Sequence, residues 1–143
     1  MTNNTDRSPD SAFDNYFLQA QRVRAHIKTD FNKAFRHPCV HLARPESCSS
    51  PDGVDVLLHP SAIRTVPRLA EKWAVAGERW DTASMEEYLQ DVMTVPASLA
   101  GLPALSVPAG FGEDGWPVGL SIVGQWGMDE LILRVGRVVE SIR

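Results

Sequence analysis

Asp91 is the residue whose type and position most favour binding chemistry in this chain. It lies near the end of a predicted helix, where the helix macrodipole makes a carboxylate unfavourable, and the sequence directly after it becomes small and apolar. An acid in that position is either exposed at a frayed helix end or held there for a partner cation. Both interpretations are open from the residues alone, and exposure is the commoner outcome.

A second group of residues has the types that bind a soft metal ion. Imidazole and thiolate side chains occur at His37, Cys39, His41 and Cys48. Their spacing is irregular, and two ligands separated by one residue reach a common ion only from an extended segment. We therefore interpret them as incidental residues of a loop, and we predict no metal site and no cofactor.

No motif supplies a nucleophile for covalent catalysis. The chain has neither a Gly-x-Ser-x-Gly elbow nor a glycine-rich phosphate loop. The serine pair Ser49–Ser50 precedes a proline in a polar loop, without a helix N-terminus to donate hydrogen bonds to an oxyanion. No catalytic residue is therefore assigned.

The elements that position Asp91 follow from periodicity and turn signals. Ser84 and Glu87 form a capping box that opens the helix carrying Asp91, and Asp114–Gly115 between two apolar runs predicts an antiparallel hairpin. The predicted elements, in chain order, are helix Phe13–Phe35, strand Val54–Leu58, the capped helix to about Met93, helix Pro96–Ala100 ending at Gly101, strands Ala104–Pro108 and Val118–Val123, and helix Met128–Ile142.

This order predicts an α/β fold, with helices layered on a mixed sheet. A strand as apolar as Val54–Leu58 is expected to be covered on both faces, and a thin three-stranded sheet with few helices offers little cover. We therefore expect residues 12–143 to be part of a larger α/β domain, with a compact three-stranded fold as the alternative. Residues 1–11 are expected to be a disordered lead, and residues 37–53 a loop.

Composition excludes several functional classes. The chain has 143 residues, a net charge of −4 and a hydrophobic content of 43%, which are values of a globular domain. An acidic chain is not expected to bind nucleic acid directly through a broad basic surface. No run of eighteen apolar residues is present, so no membrane span is expected. Two cysteines favour a reducing compartment over a disulfide scaffold.

Four blocks of the sequence resemble the C-terminal third of amidase-signature enzymes, in the family's order. They are AQRVRAHIKTDFNKAF (Ala20–Phe35), VDVLLHPSA (Val54–Ala62), YLQDVMTVPASLAGLPALSVPAGF (Tyr88–Phe111) and GWPVGLSIVG (Gly115–Gly124). Within the family the resemblance is strongest to the A subunits of glutamyl-tRNA(Gln) amidotransferases. The joint match is specific, because the blocks occur together and in order.

The resemblance implies an α/β/α fold, of which this chain is the incomplete C-terminal part at one end of a large mixed sheet. It also implies amide hydrolysis by two serines and a lysine, a set that lies before the matched blocks in the family and has no counterpart here. The residue that matches a substrate contact is Asp91, which would form a charge-assisted hydrogen bond with the α-ammonium of glutamine. Residues 37–53 are longer than the family's usual link and are expected to be an insertion.

The function implied by the resemblance is that of the glutaminase component of an amidotransferase. Such a component releases ammonia from glutamine to form Gln-tRNA(Gln), with the B and C subunits of the amidotransferase as partners. The chain by itself is expected to be inactive, because it lacks the Ser-Ser-Lys set. The alternatives are a fragment of a general amidase acting on another amide and a non-catalytic binding module. The location would be mitochondrial in a eukaryote, without a visible transit peptide, and otherwise cytoplasmic.

Overall fold

A computed structural model of the chain describes residues 16–40, 50–66, 89 and 91–142. The predicted lead at 1–11, the capping box at Ser84–Glu87 and the middle of the predicted insertion, 41–49, lie outside the described residues. The elements are α1 (Leu18–Ala34), β1 (Val56–Pro60), α2 (Val95–Ala100), β2 (Ala104–Phe111), β3 (Pro117–Gly124) and α3 (Asp129–Ser141). None of these described helices is long and apolar enough to span a bilayer.

Strands β2 and β3 form the predicted antiparallel hairpin. Gly115 adopts a φ of 79° in the turn, and the Asp114 carboxylate accepts a hydrogen bond from the Trp116 backbone N–H at 3.1 Å. β2 runs to Phe111 rather than ending at Pro108 as predicted. The reason is that β2 is an edge strand of the described sheet, where a missing N–H is tolerated, and a bulge follows Pro108.

The described sheet has the order β1-β3-β2, and its strand pairs are antiparallel. β1 begins at Val56, two residues later than predicted, because Val54 pairs with Phe35 in an isolated parallel bridge. In that bridge the Arg36 N–H donates to the Val54 carbonyl, and the Val54 N–H donates to the Ala34 carbonyl, both at 2.9 Å. This isolated bridge lies outside the named strands, and the strand pairs of the described sheet are antiparallel.

The sheet carries helices on both faces. On one side, here called the α3 face, Ile132 of α3 packs against Val107 and Ile122. On the other side, the α1/α2 face, Phe35 and Ala97 pack against Val123. Adjacent strand residues point to opposite faces, so Ile122 belongs to the cluster on the α3 face and Val123 to the cluster on the α1/α2 face. The result is a layered α/β/α arrangement, which confirms the predicted fold class.

On the α3 face, Val56 of β1 packs against the cluster around Ile122, but the cover does not extend to Leu58. Leu58 pairs with Ile122 and therefore belongs to that face, yet 53% of it is exposed. α3 packs on β2 and β3, and Gly136 permits the close approach, since a β-carbon there would lie 2.5 Å from a Leu105 methyl carbon. An apolar strand residue left open in this way is consistent with the expectation of a larger α/β domain.

Helix α2 ends as predicted. Gly101 takes a left-handed φ of 74°, and its N–H donates to carbonyls of the last turn. The Arg24 Nε atom donates to the Leu99 carbonyl at 2.7 Å, which satisfies another terminal carbonyl and ties α1 to α2. Gly101 therefore predicted the end of α2 correctly. The hydrogen bond from Arg24 of α1 could not be predicted from the sequence, because it depends on how the two helices pack.

A buried amide fastens α1 to the connection between β3 and α3. Gln125 is fully buried; its Nε2 donates to Asn32 Oδ1 at 3.0 Å and its Oε1 accepts from the Trp126 N–H at 2.8 Å.

Gln125→Ala removes the amide that bonds Asn32 and the Trp126 N–H, so we expect the free energy of unfolding to fall by about 1–3 kcal/mol. Urea denaturation measures the loss, with exposed Gln19→Ala on α1 as the matched control. Equal midpoints for the two variants would contradict this account.

Candidate substrate-binding face

Asp91 lies at the end of a helical segment, as the sequence predicts. It is the last helical residue before a turn at residues 92–94. Its carbonyl accepts hydrogen bonds from the Thr94 N–H at 3.0 Å and from Thr94 Oγ1 at 3.3 Å, which ends the helix there. The Asp91 side chain is exposed, and no partner of its carboxylate is found in the described part of the chain.

Apolar side chains flank Asp91 in the sequence and are also exposed. Leu89 is 48% exposed and Val92 is 53% exposed. Val95 and Leu99, one helical turn apart on α2, are each 42% exposed. Asp91 is therefore flanked along the chain by exposed apolar side chains. A cover on this surface would exclude water and strengthen any pair that Asp91 makes with a cation.

A row of polar side chains crosses the sheet on the α1/α2 face. His59 of β1 pairs directly with Ser121 of β3, and Ser121 pairs directly with Ser106 of β2. The hydroxyl of Ser61, just after β1, lies 2.7 Å from the Ser106 hydroxyl and 2.8 Å from the Ser121 hydroxyl. We call His59, Ser61, Ser106 and Ser121 the polar row. No motif in the sequence marks these four residues as a group.

Gly119 makes room for the polar row. A β-carbon on Gly119 would lie 2.9 Å from Ser61 Oγ and 3.2 Å from Ser106 Oγ, so a larger residue would displace the Ser61 hydroxyl. The Ser61 N–H donates to the Gly119 carbonyl at 2.9 Å. Farther along, the Thr65 hydroxyl donates to the Asp114 carboxylate and joins the segment to the hairpin turn. These contacts fix residues 61–66 along β3.

Of the four residues of the metal hypothesis, the structure describes His37 and Cys39. His37 Nε2 lies 3.0 Å from Asp55 Oδ1, and Arg36 Nη1 lies 3.1 Å from Asp55 Oδ2, so His37 belongs to a polar cluster with Arg36 and Asp55 at the surface. Cys39 is a free thiol, while His41 and Cys48 fall outside the described residues. Across residues 16–40, 50–66 and 91–142, no group of three or more potential metal ligands is found.

The comparisons with known proteins place the chain in a family. The family model described as Amidase matches residues 2–133. The chain belongs to the amidase family. The match covers every described strand and part of α3, and it confirms the resemblance that the four sequence blocks indicated.

Two proteins similar to this chain are A subunits of glutamyl-tRNA(Gln) amidotransferases. The chain is 51% identical over 132 residues to the A subunit of the mitochondrial glutamyl-tRNA(Gln) amidotransferase of Mycosarcoma maydis, covering 91% of this chain and 24% of that protein. It is 30% identical to the crystal structure of the A subunit of a glutamyl-tRNA(Gln) amidotransferase from Thermotoga maritima, with a TM-score of 0.63, covering 92% of this chain and 23% of that one. The chain thus spans about a quarter of the length of these relatives.

A third likeness concerns the fold alone. A 6-aminohexanoate cyclic dimer hydrolase complexed with substrate is 23% identical, with a TM-score of 0.66, covering 95% of this chain and 25% of that one. The same layered arrangement of helices and strands therefore occurs in proteins that act on different substrates. The role of Asp91 stays a prediction, since none of these likenesses tests an individual residue.

Proposed function

We propose that this chain forms the C-terminal part of a glutamine-hydrolysing amidase, the A subunit of an amidotransferase that forms Gln-tRNA(Gln). The observation that carries the proposal is the 51% identity to the Mycosarcoma maydis relative over 91% of the chain. Similarity over this length is not confined to one motif, and it favours a shared substrate over a shared fold alone.

In this proposal Asp91 binds the α-ammonium of glutamine. Its carboxylate is exposed and has no partner within the described residues, so it can accept an incoming cation without first breaking an ion pair there. A hydrogen bond between two charged groups is stronger than one between neutral groups, and it strengthens further when water is excluded. The exposed apolar residues beside Asp91 are suited to pack against the cover that excludes water.

Bond cleavage is assigned to groups outside this chain. The Ser-Ser-Lys set that the resemblance implies has no counterpart in the matched blocks, and a serine nucleophile needs a neighbouring base to activate it. The chain would therefore bind and orient the substrate while the remaining part of the amidase domain attacks the amide. The B and C subunits are the partners in this proposal, and the mitochondrion is the location, as in the name of the Mycosarcoma maydis relative.

A chimera tests the proposal. The matching segment of the Mycosarcoma maydis relative is replaced by this chain and expressed with that enzyme's own partner subunits. We expect ammonia release from glutamine and Gln-tRNA(Gln) formation, whereas the same relative with the segment deleted supports neither. Circular dichroism and gel filtration show that the chimera is folded and assembled. A folded chimera that hydrolyses other small amides but not glutamine would contradict the proposal and support a general amidase.

The chain by itself is predicted to hydrolyse no amide. Purified 143-residue protein is incubated with glutamine and with small primary amides, and ammonia is measured with a coupled assay. We expect no turnover above the buffer blank, because the activated serine is absent. Turnover that a serine-directed inhibitor abolishes would overturn this prediction.

A further inference from the structure

The short helix α2 directly follows the turn that begins at Asp91. The Asp91 carbonyl accepts a hydrogen bond from the Thr94 N–H at 3.0 Å, and the Thr94 carbonyl accepts one from the Ser98 N–H at 3.3 Å. One residue farther along, the Leu99 carbonyl accepts a hydrogen bond from Arg24 Nε at 2.7 Å. The helix end that carries Asp91 is therefore connected to a side chain of α1 through a single helix of six residues.

The packing of α2 on the sheet leaves part of its position undetermined. Its buried residues are two alanines, and one of them, Ala97, packs against Phe35 and Val123. Apolar contact of this kind is not directional, so it holds α2 against the sheet without fixing the rotation of the helix about its own axis. A hydrogen bond is directional and supplies the constraint that this packing lacks.

Helix α1 is a fixed reference for that hydrogen bond. Asn32 Oδ1 accepts a hydrogen bond from Gln125 Nε2 at 3.0 Å, and Phe35, just after the helix, forms the bridge with Val54. Arg24 lies about 12 Å from Asn32 along α1, at a rise of about 1.5 Å per residue. The sheet therefore sets the position of α1, and Arg24 carries that position to α2.

We propose that Arg24 is a positioning residue for Asp91. It holds the far end of α2 and thereby keeps the turn at residues 92–94, and the Asp91 carboxylate before it, in the place where the α-ammonium of glutamine binds. Arg24 does not touch the substrate in this proposal, so its effect reaches the reaction only through Asp91. The inference rests on the proposed function, because it takes the contact between Asp91 and the α-ammonium as given.

A double-mutant cycle in the chimera tests the proposal with two substrates, glutamine and 4-carbamoylbutanoate, which lacks the α-amino group. We expect Arg24→Ala to lower kcat/KM for glutamine about three- to tenfold, the range of one hydrogen bond, and to leave kcat/KM for 4-carbamoylbutanoate unchanged. In a chimera that already carries Asp91→Asn, Arg24→Ala should have no further effect on either substrate. Arg24→Lys keeps a donor and the charge, and it should retain most of the activity toward glutamine.

Arg22→Ala is the matched control for Arg24→Ala. Arg22 is an exposed arginine of the same helix, and no partner of its side chain is found in the described part of the chain. We expect Arg22→Ala to leave kcat/KM unchanged for both substrates. Equal losses for glutamine and 4-carbamoylbutanoate in Arg24→Ala would show a merely structural role and overturn the inference, and so would undiminished activity toward glutamine.

Hydrogen exchange of the chimera gives a second readout that needs no activity. Arg24→Ala should speed exchange of the Thr94 and Ser98 amides, which lie between Asp91 and the end of α2, about three- to tenfold, whereas Arg22→Ala should not. Unchanged exchange in Arg24→Ala overturns the inference and leaves the proposed function intact. A folded chimera that hydrolyses no glutamine contradicts the proposed function, and exchange at these two amides then decides whether Arg24 fixes this helix end.

Discussion

Asp91→Ala in the chimera is expected to lower kcat/KM for glutamine about 10- to 100-fold, since hydrogen bonds to charged groups contribute about 1.5–3 kcal/mol. The Asp91 carboxylate has no partner within the described residues, so its removal breaks no ion pair there. The helix end itself is held by the backbone carbonyl of Asp91 through Thr94, and alanine keeps that carbonyl. The loss should therefore fall on substrate binding, and it is measured by steady-state glutaminase kinetics.

Asp52→Ala is the matched control for this prediction. Asp52 is also an exposed acid, in the turn before β1, and its removal changes the net charge of the chain by the same amount. We expect kinetics close to those of the unsubstituted chimera. If Asp52→Ala and Asp91→Ala had equal effects, the result would reflect net charge, and the assigned role of Asp91 would be wrong.

Gly53→Ala is expected to produce the largest loss of stability, about 3 kcal/mol, at the upper end of overpacking effects in proteins. Gly53 is buried where the turn before β1 crosses the end of α1. A β-carbon there would lie 2.6 Å from the Arg36 nitrogen and from the Phe35 carbonyl carbon. These are backbone atoms, so the steric clash can be relieved only by moving the backbone bridge that joins Phe35 to Val54. Urea denaturation of the variant measures the loss.

Gly136→Ala is the matched control, because the same methyl group is added at another crowded glycine. There the nearest atom is a terminal methyl carbon of Leu105, which can rotate away. Alanine in a helix is also favoured over glycine by about 1 kcal/mol, which offsets part of the crowding. We expect a smaller loss than for Gly53→Ala. A larger loss at Gly136 would contradict the distinction between backbone and side-chain neighbours.

Local signals predicted the local parts of the fold. The Asp114–Gly115 turn indicated the hairpin, and Gly101 indicated the end of α2. In both cases glycine is strongly preferred, because the backbone takes a positive φ that other residue types rarely adopt. The position of Asp91 at a helix end followed in the same way, from the length of the capped helix and the small apolar residues after it.

Long-range features of the candidate site were not predictable in this way. Ser106 and Ser121 are each a single polar residue within an apolar strand, and only the register brings them to the same row. Ser61 joins them through a segment after β1 whose path depends on contacts with Gly119 and Asp114. Gly53 also looks like an ordinary turn glycine in the sequence, because its close neighbours come from the end of α1.

The central claim is that Asp91 recognises the α-ammonium of glutamine, and pairing a variant with a substrate analogue tests it most directly. Asp91→Asn keeps the size of the side chain and removes its charge. The analogue is 4-carbamoylbutanoate, which is glutamine without its α-amino group. In the chimera we predict that Asp91→Asn lowers kcat/KM for glutamine at least about tenfold, the effect of losing roughly 1.4 kcal/mol of transition-state binding, and leaves kcat/KM for the analogue unchanged. Equal losses for both substrates would contradict the claim.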